Sequence, residues 1–314
     1  MNMVSRSFRI QRSELAVPAT SDHLFEKAAN TNADFVFLDL EDAVAPDRKK
    51  QARTSAIAAL NDIDWGTKTM SVRINALDTE WGLRDILEMV DLCPRLDLVM
   101  VPRANSAFEI QFIDTVLTSL EKELGREKRV GIEAIVETAL GLANVEQIAA
   151  SSGRLESIIF GMGDYSIDMG TYDAVIGGSQ TAPHRWDYPL ARIANACRAY
   201  GLRPIDGPFT RYSDIGGLRA SAERAVALGF EGKWAIHPSQ LAICNELFAP
   251  TIAHIEWAER TLEAMRGAVA AGKGAVGHNG MVVDMAHVRL AGIILERASI
   301  VRSHSSIAES ISKT

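Results

Sequence analysis

The 314-residue sequence has only three cysteines, and their positions suggest neither a disulfide framework nor a cysteine-based metal site. Cys93, Cys197 and Cys244 are widely separated, and no CxxC pair occurs. Disulfide-rich secreted domains usually carry an even number of cysteines at close spacings. We therefore expect a reducing compartment, the cytoplasm, and we expect each cysteine to be a small packing residue rather than a nucleophile.

The sequence also lacks long hydrophobic runs and any surplus of positive charge. No stretch reaches the roughly 20 apolar residues that a bilayer-spanning helix needs, and the N-terminal segment shows no long apolar region. There are 33 Lys and Arg residues against 40 Asp and Glu, which gives a net charge of -7. Because nucleic acids bind strongly positive surfaces, we expect neither a nucleic acid nor a membrane as partner.

What the sequence does contain is a series of eight short apolar segments, most of them separated by helix-like segments. The candidate strands are 14–18, 35–40, 70–75, 96–102, 129–137, 155–164, 203–208 and 233–238. Alternating strands and helices predict parallel βαβ units, and eight such units close a TIM barrel. The main alternative is an open, doubly wound sheet, which usually has a glycine-rich loop after its first strand. Here PATSDH follows instead, so we predict an α/β fold with a (β/α)8 barrel over residues 1–249.

The pattern changes after about residue 250. A long amphipathic segment is followed by a turn, a short extended piece and a second helix-like segment. This region lies beyond the eighth strand. We therefore expect residues 250–314 to form a C-terminal helical extension that serves as a lid, an oligomer contact, or both.

Two acids follow neighbouring candidate strands at the end where TIM barrels place their active sites. Adjacent parallel strands lie about 4.8 Å apart, so Glu137 and Asp164 would repel each other unless something neutralises them. Two carboxylates that leave positions open for waters and substrate oxygens suit Mg²⁺, whereas no close histidine pair or cysteine cluster suggests zinc. Pairing of one acid with Arg73 or another basic residue is the alternative.

Further charges gather at the same predicted rim. Arg73 ends the third strand, where its planar guanidinium could hold a substrate carboxylate or pair with Glu41 or Asp42. The apolar run of the second candidate strand stops at the carboxylates Asp39, Glu41 and Asp42, and the basic residues 48–50 that follow could hold a small anion.

Several motifs together resemble those of the CitE-like (HpcH/HpaI aldolase/citrate lyase) family. They run in order along most of the chain: DLEDAVAPDRKKQAR, SVRINALDT, IVETALGLANVEQIAASS, GMGDYSIDMG, PIDGPF and GKWAIHPSQ. Within the family, the segments DMGTYDAVIGGSQ and GHNGMVVDMAH make the chain most similar to the L-malyl-CoA/β-methylmalyl-CoA lyases.

The resemblance implies a Mg²⁺-dependent, reversible Claisen-type cleavage of a 3-hydroxyacyl-CoA. L-malyl-CoA or β-methylmalyl-CoA would give glyoxylate and acetyl-CoA or propionyl-CoA. A citramalyl-CoA lyase producing pyruvate, a malyl-CoA thioesterase, a citrate lyase β-subunit-like protein and a non-catalytic barrel are the alternatives. Coenzyme A would enter as part of the substrate, and Mn²⁺ is a possible substitute for Mg²⁺. The family also implies a homotrimer or homohexamer.

The matched motifs also imply roles for individual residues. Glu137 and Asp164 would be the Mg²⁺ ligands, and Arg73 would bind the α-keto acid end of the substrate. Asp284, in the C-terminal segment, would be the acid/base aspartate that the family supplies across a subunit interface. We expect partial desolvation to raise the pKa of such a base.

The remaining predicted residues surround this centre. Asp39 and Glu41 would accept hydrogen bonds from the waters of the metal. Relatives often have a lysine after the proline of MIPK, whereas this chain has Arg103 there, which puts that lysine contact in doubt. The candidates for contacts with the CoA phosphates are Arg12, Lys27, Arg48 and Lys49.

Overall fold

Eight parallel strands close into a barrel in chain order in a computed structural model that describes residues 9–171, 176–178, 184–278 and 280–311. Each strand pairs with the next one along the chain, and the eighth pairs with the first. This closure confirms the TIM barrel and excludes the open sheet. The strands are β1 Ser13–Pro18, β2 Phe35–Asp39, β3 Thr69–Arg73, β4 Leu98–Val101, β5 Gly131–Val136, β6 Leu155–Phe160, β7 Arg203–Asp206 and β8 Gly232–Ala235.

Helices connect the strands. The clearest signals of helix ends in the sequence surround α4, where Ser106 and Glu109 form a capping box and Gly125 ends the helix in a left-handed conformation. Ser21, in contrast, precedes a short 3-10 turn, and its side chain caps nothing. The helices around the barrel are α1 Phe25–Ala29, α2 Lys49–Asp62, α3 Gly82–Leu92, α4 Ala107–Leu124, α5 Ala139–Ala143, α6 Val145–Ala150, α7 Met162–Asp168, α8 Asp187–Tyr200, α9 Ile215–Ala227 and α10 Leu241–Leu247.

The barrel is filled with side chains rather than open. Alternate strand residues point inward, and their apolar members pack into one interior cluster, while the outward-facing ones pack against the helices. The three cysteines are buried and unbonded, as expected. Because side chains fill the interior, we expect the active site at the carboxyl-terminal ends of the strands, where TIM barrels place it. The interior cluster comprises Phe35, Phe37, Leu98, Met100, Ile135, Ile159, Ile205 and Trp234.

The chain divides into two compact units, residues 1–248 and 249–314. The second unit contains α11 Ile252–Ala270, an antiparallel pair of strands, β9 Val276–His278 and β10 Met281–Val283, and α12 Met285–Ile311. This sequence of elements matches the predicted order of helix, extended piece and helix. In the described ranges, no helix is both long enough and apolar enough to cross a bilayer.

Candidate active site

The predicted catalytic side chains of the barrel lie at the carboxyl-terminal ends of the strands. Asp39 and Arg73 are the last residues of β2 and β3 and lie opposite each other in the sheet. Glu137 follows the last residue of β5. The sequence places Asp164 at the end of a strand, but β6 ends earlier and Asp164 lies in the first turn of α7. The structure thus brings these four side chains to one rim.

Arg73 is buried, and carboxylates surround it. Its Nε and Nη2 donate to the two oxygens of Asp39, at 2.8 and 2.6 Å. Its Nη1 lies 2.9 Å from Glu41 Oε2 and 3.4 Å from Asp42 Oδ2, and the guanidinium lies 5.1 Å from the ring centre of Trp234. Burial alone would lower the pKa of Arg73, but the carboxylates, led by Asp39, raise it. Its positive charge is therefore permanent, and its orientation is fixed.

The contacts of Asp39 differ from the predicted role as an acceptor for metal-bound waters. Oδ1 accepts from Arg73 and from the backbone N–H of Glu41 at 2.9 Å. Oδ2 accepts from Arg73 and from the N–H of Ala43 at 3.3 Å. A carboxylate offers about four acceptor sites, so protein donors already use them all. Asp39 orients Arg73 and the loop after β2, and it has no site left for a water.

Glu41 retains acceptor capacity. Burial raises the pKa of Glu41 to about 7, the charge of Arg73 opposes that rise, and Asp42 and Asp39 add to it. Glu41 Oε2 lies close to Arg73 Nη1, but no donor among the described residues has hydrogen-bond geometry toward it. Glu41 thus stays a candidate acceptor beside Arg73.

The carboxylate of Glu137 is bordered by the backbone of Arg103 on one side and of Gly161 on the other. Its Oε1 accepts the N–H of Arg103 at 2.7 Å. Arg103 is the only non-glycine residue of the described chain with a positive φ, at 50°, a conformation that costs about 1–3 kcal/mol. On the other side, a Cβ on Gly161 would lie 2.6 Å from Glu137 Oε2 and would also overlap its Cβ. The sequence signals Gly161 by its position after a strand, but nothing in it signals the backbone turn at Arg103.

No described cation forms an ion pair with either of the two predicted metal ligands, and the pKa of each is raised. Burial raises the pKa of Glu137 to about 8, with Glu41 and Asp164 adding to the rise and the Arg103 N–H and Arg73 opposing it. Burial and the charge of Asp42 also raise the pKa of Asp164. No residue of the described chain forms an ion pair with Glu137 or Asp164, or donates a hydrogen bond to Glu137 Oε2 or to Asp164.

The described residues offer no third carboxylate, histidine or cysteine beside Glu137 and Asp164 to complete a metal site. Among the described residues, no group of three His, Cys, Asp or Glu side chains is placed to hold a metal ion. A divalent cation bound by two carboxylates would keep several waters or substrate oxygens, which is the usual state of Mg²⁺ in proteins.

A cleft of about 370 Å³ opens between the loops after β2, β3 and β4, and its lining includes Glu41, Asp42 and Arg103. The CoA candidate Lys49 lies in its wall, where its Nζ donates to the carbonyls of Leu40 and Glu41 at 2.8 and 2.7 Å. Its ammonium lies 5.5 Å from the ring centre of Trp81. Burial lowers the pKa of Lys49, and nearby acids oppose this. The described contacts of Lys49 therefore hold the loop after β2 in place.

The other CoA candidates lie in different surroundings. Arg12 precedes β1, at the end of the barrel opposite the rim, and its guanidinium donates to both oxygens of Asp34 at 2.7 and 2.8 Å. We therefore do not assign Arg12 to CoA binding. Lys27 on α1 and Arg48 before α2 are exposed. Both remain predictions.

Asp284 belongs to the second unit and lies just before α12. Its side chain is 52% exposed, and its Oδ1 accepts the N–H of Ala286 at 2.9 Å. The hydrogen bond from His287 and the backbone N–H donors lower the pKa of Asp284. This is the opposite of the rise that we expect from burial. Its causes are the contact with His287, which is the larger one, and the N–H groups at the start of the helix, which point at the carboxylate.

Known proteins resemble the chain over nearly its whole length. A family model described as HpcH/HpaI aldolase/citrate lyase matches residues 12–238. The L-malyl-CoA/β-methylmalyl-CoA lyase of Rhodobacter capsulatus is 42% identical over 306 residues, which cover 94% of this chain and 96% of that protein. A (3S)-malyl-CoA thioesterase of Cereibacter sphaeroides is 34% identical over 92% of this chain and 95% of that protein.

A solved structure agrees with these matches. The protein CitE from Mycobacterium tuberculosis, in complex with magnesium, acetoacetate and coenzyme A, superimposes with a TM-score of 0.76. The identity is 28%, and the match covers 92% of this chain and 98% of that one. The chain therefore belongs to the HpcH/HpaI aldolase/citrate lyase family.

Proposed function

We propose that the protein is a Mg²⁺-dependent lyase that reversibly cleaves L-malyl-CoA or β-methylmalyl-CoA into glyoxylate and acetyl-CoA or propionyl-CoA. The observation that carries this proposal is the pair of acids Glu137 and Asp164 at the barrel rim, with which no described cation forms an ion pair. The lyase named for these substrates, 42% identical to this chain, supports the choice of substrate.

The residues at the rim fit a divalent cation. Glu137 Oε2 and the carboxylate of Asp164 receive no hydrogen bond from the described chain, and Gly161 leaves the space that Glu137 occupies. Burial and the charges of Glu41 and Asp164 raise the pKa of Glu137, and a bound divalent cation would favour its charged form. When bound there, Mg²⁺ would supply Lewis-acid polarisation of the oxygens at the acid end of the substrate.

Arg73 supplies the fixed positive charge of the site. Because Asp39 grips two of its three nitrogens, the guanidinium is already oriented before substrate binds. We assign to Arg73 the binding of the α-keto acid end and the stabilisation of negative charge that develops as the carbon–carbon bond breaks. Preorganised charges of this kind are effective because they need not reorient during the reaction.

Asp284 acts as the general base and general acid for the α-proton of the acyl group. In the condensation direction its carboxylate takes the α-proton of acetyl-CoA or propionyl-CoA, and the electron pair of the C–H bond becomes the enolate. The enolate carbon then forms a bond with the carbonyl carbon of glyoxylate, the C=O electron pair moves to the oxygen, and this oxygen takes up a proton from solvent to become the hydroxyl group. In the cleavage direction the hydroxyl group releases its proton to solvent and the C=O bond re-forms. The electrons of the carbon–carbon bond then pass to the acyl group as the enolate, which takes a proton from the protonated Asp284.

The test is a condensation assay that pairs glyoxylate or pyruvate with acetyl-CoA or propionyl-CoA, with and without Mg²⁺. We expect a 3-hydroxyacyl-CoA product from glyoxylate, and only when the metal is present. Preference for pyruvate would indicate a citramalyl-CoA lyase instead. Absence of product from all four pairs in the presence of Mg²⁺ would overturn the proposal.

A second candidate is hydrolysis of the malyl-CoA thioester, which the 34% identical thioesterase supports. The two reactions leave different products from malyl-CoA. The lyase releases glyoxylate and acetyl-CoA, whereas the thioesterase releases free malate and coenzyme A. Chromatography of the products of one incubation separates them.

A further inference from the structure

The carboxylate of Asp284 is bound on one oxygen only. Oδ1 accepts the N–H groups of Ala286 and His287, at 2.9 and 3.4 Å. The Nδ1 of His287 lies 2.8 Å from the same oxygen. Among the described residues, none donates to Oδ2.

A proton must lie between Oδ1 and the imidazole ring. Two acceptor atoms do not approach to 2.8 Å without one, so His287 Nδ1 carries the hydrogen when Asp284 is ionised. The same Nδ1 also lies 3.3 Å from the backbone N of Asp284, a contact that would need an unprotonated Nδ1. The shorter contact to an anionic oxygen is the stronger of the two. Trp257 of α11 borders the ring, with 6.4 Å between ring centres.

On the basis of the function proposed above, we propose that His287 is a positioning residue for Asp284. Its Nδ1–H holds Oδ1, so that Oδ2 is the oxygen that exchanges the α-proton with the acyl-CoA. In condensation Oδ2 receives the proton, and the C–H electron pair stays on the acyl group as the enolate. In cleavage the same oxygen returns the proton to the enolate carbon.

His287 would act by fixing the orientation of the Asp284 carboxylate. An unanchored carboxylate rotates between equivalent arrangements, and a small displacement of a reacting group can cost about 10²-fold in rate. The donors on Oδ1 fix one arrangement and keep Asp284 in the ionised form that acts as a base. Losing His287 removes one of those donors but leaves the two backbone N–H groups, so we expect a loss of about tenfold rather than complete loss.

Helix capping is the competing explanation, and the chain contains a matched control for it. At the start of α11, Thr251 and His254 occupy the same two positions: His254 N donates to Thr251 Oγ1 at 3.2 Å, and Thr251 N donates to His254 Nδ1 at 3.3 Å. There the histidine faces a hydroxyl group instead of a carboxylate. A role limited to capping should therefore be shared by His254 and His287.

The experiment compares His287→Leu, His287→Asn and His254→Leu in the full-length protein with Mg²⁺. The readouts are kcat and KM of condensation, exchange of the α-hydrogens of the acyl-CoA with D₂O, and Tm. We expect His287→Leu to lower kcat and exchange about tenfold, with KM within about twofold. His287→Asn should retain most of both rates because its amide can donate from a similar position. His254→Leu should change only Tm.

Two results would overturn the inference while leaving the lyase intact. One is normal kcat and exchange in His287→Leu. The other is an equal loss in His287→Leu and His254→Leu with an equal fall in Tm, which would assign both histidines to capping. A wild-type protein without condensation or exchange would overturn the proposed function, and this inference with it.

Discussion

Glu137 combines burial with negative neighbours, and this combination has measurable consequences for stability. In the metal-free protein its pKa is about 8 against an ordinary value of 4.5. Between these pH values the folded protein holds a proton that the unfolded chain has released. The folded state of the metal-free protein therefore loses stability as pH rises from about 4.5 to 8, by at most about 1.4 kcal/mol per pH unit.

Glu137→Gln should remove that loss, because the amide cannot ionise. In EDTA at pH 8 we expect a higher Tm for the variant than for wild type, and a much smaller difference at pH 5. Added Mg²⁺ should raise the Tm of wild type and not that of the variant, since a ligand stabilises only the form that binds it. Thermal unfolding of both proteins under these three conditions measures the differences.

The control for this change is Glu123→Gln, on the exposed face of α4. It should behave as wild type throughout. Stabilisation of Glu137→Gln by Mg²⁺ to the same extent as wild type would remove Glu137 from the metal site.

Gly161 tests the space around the same carboxylate. Gly161→Ala would place a methyl group 2.6 Å from Glu137 Oε2, so the side chain must shift. We expect the affinity for Mg²⁺ to fall about tenfold or more, as displacement of a ligand's supports typically produces. Titration calorimetry measures the affinity. Gly153→Ala is the matched control, because nothing lies within 4 Å of a Cβ at that position. Equal Mg²⁺ affinity in the two variants would contradict the role of Gly161.

At the scale of elements, the loop after β2 carries Glu41 and is held in place by charged side chains before and after it. Asp39 accepts the N–H groups of Glu41 and Ala43, and Lys49 at the start of α2 donates to the carbonyls of Leu40 and Glu41. The loop is thus tied at both ends to charged side chains. This arrangement sets Glu41 beside Arg73.

Lys49→Met should loosen this loop. The change takes the lysine donor from the buried carbonyl of Leu40, whereas the carbonyl of Glu41 keeps the N–H of Val44. A buried carbonyl without a donor typically costs about 1–3 kcal/mol. We expect that loss in the free energy of unfolding in urea, together with a fall in kcat as Glu41 and Arg73 lose their fixed geometry. Lys50→Met, at the exposed neighbouring position, should change neither quantity. Similar losses in both variants would mean that the contacts of Lys49 do not hold the loop.

The elements could be predicted well because each strand is a short apolar run with polar ends. All eight candidate strands are present, and the long α4 ends at the glycine that the sequence indicates. Contacts between elements were harder to predict. The sequence suggests Glu41 or Asp42 as a partner for Arg73, and both carboxylates contact it. It does not indicate Asp39, which strand register places directly opposite Arg73. Backbone geometry, such as the positive φ of Arg103, leaves no residue-type signal at all.

At the scale of the whole molecule, the proposed chemistry draws on both units of the chain. Glu137 and Asp164 belong to residues 1–248, and Asp284 belongs to residues 249–314. From the family resemblance we predict a homotrimer or homohexamer in which Asp284 serves the barrel of another subunit. Light scattering that gives a mass near the 34.2 kDa of one chain would contradict this assembly.

Complementation tests the sharing of the site directly. Glu137→Gln and Asp284→Asn should each abolish most of the turnover when alone, Asp284→Asn without loss of Mg²⁺ binding. If the two residues come from different subunits, a mixed oligomer contains some sites with both native side chains. Random 1:1 assembly gives about a quarter of the sites in that state, and about a quarter of wild-type activity should return on co-expression. If both residues come from one chain, every site in the mixture carries a defect, and no activity returns.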